Sequence, residues 1–128
     1  MRQLNEEEAN IANRFLFLSM AIVVLHQDSA YIRKSPLKIK ENYIELIGKM
    51  ITMATNERRL LRKKMQAMHM QVVTLDQNGS FTSYLFTCQG KEEKCNYFNP
   101  AIRSKVKDLL GELMQKAQRP YQTSAANV

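Results

Sequence analysis

The residues best suited to chemistry in this sequence are cations rather than nucleophiles. The run Asn56-Glu-Arg-Arg-Leu-Leu-Arg-Lys-Lys-Met-Gln-Ala-Met-His69 sets Arg58 and Arg62 one helical turn apart, and Arg59 and Lys63 the same distance apart. Leu61, Met65 and Met68 fall on the opposite side of such a helix. Guanidinium forks grip phosphate or carboxylate oxygens in pairs, and ammonium groups add point charges, so the chemistry implied is anion binding. Glu57 is the sole carboxylate within the run. Like charges one turn apart repel by about a few tenths of a kcal/mol per pair, so an unneutralised run of this kind gains nothing for an isolated helix.

The other reactive side chains form no catalytic or metal-binding pattern. Cys88 and Cys95 are spaced C-x6-C with only His26 and His69 elsewhere, which is not a zinc-ligand spacing. Buried free thiols are the expectation, with a cross-strand disulfide as the alternative. Neither histidine has a Ser, Cys or Asp at motif spacing, and both read as core or boundary residues. Glu6, Glu7 and Glu8 fan around a helix start, where they complement the helix dipole. No glycine-rich phosphate loop, HExxH or GxSxG occurs. The chain is therefore expected to be non-enzymatic, with no cofactor and no metal.

Charge distribution strengthens the anion-binding reading. Residues 31–64 hold ten Lys and Arg against three Glu, a net +7 that equals the net charge of all 128 residues. Residues 1–30 carry −2 and residues 65–128 carry +2. A field concentrated in about a quarter of the chain steers polyanions toward it. Lys34 and Lys38 would join the same patch.

A chain of this size folds as one domain with a substantial core, assigned here to residues 1–117, with 118–128 as a flexible polar tail. The apolar run Phe15–Leu25 is too short to span a bilayer, which needs about twenty residues. The acidic lead before it and the lack of a small-residue cleavage site argue against an export signal. A cytoplasmic protein with reduced thiols and no membrane contact is expected.

The elements that must position the cations read as follows. Asn5 caps a first helix with a stripe through Phe15, Ser19, Ile22 and His26, ended by Gln27-Asp28-Ser29 and followed by a short strand at Ala30–Ile32. Ser35-Pro36 signals a second helix start. Either one helix continues to about Met70, or Thr52–Asn56 breaks it in two, the latter slightly favoured. Strands follow at Gln71–Leu75, Ser80–Cys88 and Cys95–Phe98, with a turn at Asp76–Gly79 and a charged loop at Gln89–Lys94. Along the second strand Phe81, Ser83, Leu85 and Thr87 face one way and Thr82, Tyr84, Phe86 and Cys88 the other. Asn99-Pro100 opens a last helix with Ile102, Val106, Leu109, Leu110 and Leu113 on one face. The fold class is α+β, mainly helical, with a small antiparallel three-stranded meander and a C-terminal helix.

Helix, extended piece, helix, turn, basic helix and strand-turn-strand resemble the order of a winged-helix DNA-binding domain. That resemblance implies that Arg58, Arg59, Arg62, Lys63 and Gln66 face duplex DNA, with the hairpin as the wing. It makes the chain a small regulator of transcription, expected to act as a homodimer. The alternative is a protein-interaction module, an inhibitor or adaptor whose Met50, Met53, Met65, Met68 and Met70 form an adaptable surface for an acidic protein.

Overall fold

A computed structural model describes residues 3–119. Helix α1 (Glu6–Lys34) and helix α2 (Glu41–Ala67) form a long hairpin; strands β1 (Met70–Asn78), β2 (Phe81–Cys88) and β3 (Lys91–Phe98) follow, then helix α3 (Asn99–Gln118). The architecture is α+β: three helices, with an antiparallel sheet in the order β1-β2-β3.

Asn5 starts α1 through a reciprocal capping box. Its Oδ1 accepts from the Glu8 amide at 2.8 Å, and its own amide donates to Glu8 Oε1 at 2.9 Å. The helix then runs through Gln27–Ser29 and through Ala30–Ile32, so the expected stop and strand there are both replaced by helix. Polar residues do not end a helix that still has backbone partners; Pro36 does, by driving the residue before it out of the helical region. Ser35 accordingly sits at φ −74, ψ 159 as the C-cap. Lys40 Nζ completes the end, donating to the Arg33 and Ser35 carbonyls at 2.8 and 3.2 Å. Ser35-Pro36 is thus a terminator, and the second helix begins at Glu41.

Helix α2 is unbroken through Thr52–Asn56, so the basic segment is its C-terminal half and not a separate helix. No Gly or Pro interrupts that stretch, the Thr52 hydroxyl donates back to the Gly48 carbonyl at 3.1 Å, and Ala54 is fully buried.

The sheet is larger than the sequence suggested. Gln89 and Gly90 both adopt positive φ, +52 and +82, closing β2 and β3 with a two-residue turn. Of the charged segment 89–94, Lys91–Lys94 therefore join the ladder instead of looping out. Asp76–Asn78 are likewise strand, beyond a bulge between Thr74 and Asp76, and the turn falls on Gly79-Ser80. Cys88 pairs with Lys91 and Cys95 with Tyr84, so the two cysteines are not opposed. Both are free thiols.

One core cluster lies among the helices, around Leu18, Ala21, Leu25, Met50, Leu109 and Leu113. The other lies between the sheet and the start of α1, around Ile11, Leu16, Met65, Tyr84, Phe86 and Cys88. The buried stripe of α1 runs through Leu18, Ala21 and Leu25; Phe15, Ser19 and Ile22 are half-buried and His26 is exposed. A helix apolar on most sides leaves that choice to its neighbours. On β2 the Thr82-Tyr84-Phe86-Cys88 face is the inner one. Helix α3 buries Val106, Leu109 and Leu113 and extends to Gln118; residues 120–128 of the expected tail lie outside the described residues.

Candidate nucleic-acid interface

The C-terminal half of α2 presents two differently occupied faces. Glu57 points to α1, where Arg14 Nε and Nη2 donate to its carboxylate at 2.6 and 2.9 Å. The same Nη2 reaches Glu112 Oε2 on α3 at 2.7 Å, so one guanidinium ties three helices together. Arg14 holds its proton more firmly than an ordinary arginine, chiefly through Glu57, and in return Glu112 is pulled below the usual carboxylate range. The only acid in the basic run is thereby withdrawn from its cations.

Arg58 also turns inward. Its Nε donates to Ser19 Oγ at 2.7 Å and its guanidinium lies 4.6 Å from the centre of the Phe15 ring. Arg59, Arg62, Lys63 and Lys64 are exposed, and among the described residues none of them makes an ion pair. Arg59, Arg62, Lys63 and Gln66 fall at i, i+3, i+4 and i+7, a single exposed stripe. Arg59 Nη2 donates to Asn56 Oδ1 at 3.3 Å along that stripe. Beside it a groove of about 580 Å³ separates the end of α2 from β1, with Arg58, Arg62, Gln66 and His69 on its wall and Phe15 and Val72 among its apolar lining. His69 is an exposed rim residue, not a core one, and holds φ +52 at the helix-to-strand corner.

Lys34 and Lys38 are not part of this face. They lie at the α1–α2 turn, while Arg59 is eighteen positions into α2, roughly 27 Å along its axis at 1.5 Å per residue. Apart from Lys49 near the middle of α2 and the inward-turned Arg58, the cations of residues 31–64 therefore fall into two groups at opposite ends of α2. The methionines also move: Met50, Met65 and Met70 are buried and Met53 and Met68 half-buried, so they pack the interior instead of offering a surface.

Two polar constellations had no local signature in the sequence. Arg14–Glu57–Glu112 joins residues 43 and 98 positions apart. At the sheet end Lys91 Nζ contacts both oxygens of the buried Glu8 at 2.5 and 2.7 Å, and Cys88 Sγ donates to Glu8 Oε2 at 3.4 Å. Lys91, then the Asn5 amide, hold the Glu8 carboxyl below its ordinary range. Burial first, then Glu8, pushes the Cys88 thiol up. Tyr97, packed edge-on against Phe17 and donating to Asn13 Oδ1, is pushed up to about 12, mainly by burial. These groups fasten α1 to the sheet. Among the described residues no three His, Cys, Asp or Glu are grouped to hold a metal ion.

Comparison with known proteins places this architecture in a family. The chain is 36% identical over 110 residues to "Uncharacterized protein YhjD" of Bacillus subtilis (strain 168), an alignment covering 86% of this chain and 92% of that relative. No solved structure matches it. The family described as YhjD protein matches residues 3–118, from ahead of the capping box to the end of α3, and the chain belongs to that family.

Proposed function

We propose that this chain is a small, non-enzymatic intracellular regulator that binds duplex DNA along the exposed stripe Arg59, Arg62, Lys63 and Gln66 of α2. The observation that carries the reading is the unpaired state of these cations, within two turns of Glu57, which is committed to Arg14. An unbroken, solvent-facing helix end with cations and an amide at one-turn spacing suits a major groove. Arg58 contributes by position, fixing α2 on α1 through Ser19 and Phe15. A homodimer would present two such stripes.

The test is retention on duplex DNA across a salt series. Phosphate neutralisation gives affinity that falls linearly in logarithmic salt, by about one unit of slope per phosphate contact. Arg59→Glu, Arg62→Glu and Lys63→Glu together abolish retention while leaving the thermal midpoint in place. A wild-type chain that ignores duplex DNA at low salt overturns the reading.

A second reading rests on the groove. Among the described residues β1 pairs only with β2, which leaves its outer edge open beside Arg58 and Arg62. An extended acidic segment of a partner protein could add to that edge, backbone to backbone, with its carboxylates on the guanidiniums. Nuclease-resistant capture of one stoichiometric acidic protein favours this over DNA.

A further inference from the structure

The second cationic patch has a different character from the first. Between Leu25 on α1 and Met50 on α2, no residue of the helix hairpin is fully buried. Helix α1 runs nine residues past Leu25, about 13 Å at 1.5 Å per residue, so the turn of the hairpin stands clear of the core. The two arms repeat a motif there. Ile32 and Ile44 are half-buried, while their neighbours Tyr31 and Tyr43 are 76% and 54% exposed, each within a turn of its helix end. At the apex Leu37 and Ile39 are 51% and 69% exposed. Arg33, Lys34 and Lys38 flank them along the chain, ahead of the exposed Glu41, and are exposed and without an ion pair among the described residues. Lys40 differs, being engaged by the carbonyls that end α1.

We propose that this apex docks on the surface of an anionic lipid bilayer. Leu37 and Ile39 enter the boundary between headgroups and acyl chains, which interfacial segments penetrate by roughly 5–10 Å. Tyr31 and Tyr43 sit at headgroup level, where a ring with an apolar body and a polar tip is best solvated. Arg33, Lys34 and Lys38 meet lipid phosphates, each adding attraction that salt weakens. Charge complementarity alone would also suit nucleic acid, but a polyanion in water leaves Leu37 and Ile39 uncovered. A turn of about a dozen residues is also small beside the roughly 20–30 residues a side of a stable protein interface. The contact is peripheral. Although α1 is long and apolar enough to cross a membrane, its Ile11, Leu18, Ala21 and Leu25 are built into the core, and Glu8 and Arg14 are paired across to other elements. This docking is independent of the α2 stripe.

The experiment floats the full chain with vesicles of phosphatidylcholine alone and of phosphatidylcholine mixed with phosphatidylglycerol. The chain is expected to float with the anionic vesicles only. Leu37→Ser with Ile39→Ser weakens partitioning at least about tenfold. Lys34→Gln and Lys38→Gln each weaken it about fivefold. Lys105→Gln with Lys107→Gln, on exposed sites of α3, leaves it unchanged. Because the chain has no tryptophan, Leu37→Trp supplies a sole indole whose emission shifts to the blue on anionic vesicles. Every substituted side chain is exposed, and circular dichroism checks that each variant keeps its fold. The proposal fails if the wild type stays with the buffer, if the serine variant floats as well as the wild type, if the α3 variant loses as much, or if the Leu37→Trp emission does not move.

Discussion

The inner and outer faces of the C-terminal half of α2 carry similar residues and use them in opposite ways. Toward α1, Met65 is buried, Glu57 is gripped by Arg14, and Arg58 rests on Phe15 and Ser19. Away from it, Leu60 is 63% exposed and Arg59, Arg62 and Lys63 have no counter-charge among the described residues. The inner charges hold helices in register. The outer ones repel each other by about a few tenths of a kcal/mol per pair and, apart from the Arg59–Asn56 hydrogen bond, make no side-chain contact that would offset it among the described residues. Stability and binding should therefore separate by face, and the separation can be measured.

The largest contrast is apolar. Met65→Ala removes a buried side chain shared by α1, α2 and the sheet and should cost about 2–5 kcal/mol. Leu60→Ala, five positions earlier on the outer face, should change stability by less than about 0.5 kcal/mol. Urea unfolding of both variants reads the difference directly. Comparable losses would mean that the outer face is covered by something in solution.

Much of the fold was legible beforehand, but not this division, since Arg58 was expected beside Arg59, Arg62 and Lys63 and instead turns inward. The alternation along Phe81–Cys88, the Asn5 cap, and the period of Val106, Leu109 and Leu113 are local patterns, and the structure keeps all three. What misled was also local. Gln27-Asp28-Ser29 resembles a helix end by composition, but helix length is set where the backbone loses its partners, at Pro36. Thr52–Asn56 resembles a break, but burial of Ala54 carries the helix across it. The continuous charge run from Arg33 to Lys64 looked like one patch because sequence does not show that a straight helix parts its ends by tens of ångströms. The Arg14 clamp was out of reach altogether, since nothing near Arg14 in the chain hints at a partner 98 positions away.

That clamp supplies the next test. Arg14→Gln leaves Glu57 and Glu112 without their shared cation, Glu112 keeping only Lys116 at 3.5 Å. The site is about one-third exposed, which screens the interaction, so the loss should be about 1–2 kcal/mol. It should also free Glu57 to neutralise the outer cations. Duplex affinity should then drop slightly, although Arg14 lies on the opposite helix.

The same clamp and the Glu8–Lys91 pair should contribute to the acid response. Glu112 and Glu8 both lie below the ordinary carboxylate value of 4.5, so the stability they contribute is complete above it. It is lost as pH falls below 4.5 toward their lowered values. Calorimetry across acid pH should show the thermal midpoint falling in that window. A variant combining Arg14→Gln with Lys91→Gln should start lower and fall less steeply. An unchanged slope would mean that other carboxylates govern acid unfolding.

The finest test sets two adjacent arginines against each other. Arg58→Gln removes a hydrogen bond to Ser19 and a stacked cation from Phe15, which together should cost about 1 kcal/mol. Arg59→Gln removes only a long bond to Asn56 and relieves repulsion from Arg62 and Lys63, so stability should hold or rise by about a few tenths of a kcal/mol. In DNA retention the order reverses, with Arg59→Gln the weaker binder and the one with the shallower salt dependence. If both variants lost stability and affinity in parallel, the two faces would not be doing separate work, because a side chain that only positions α2 cannot change the number of phosphates neutralised.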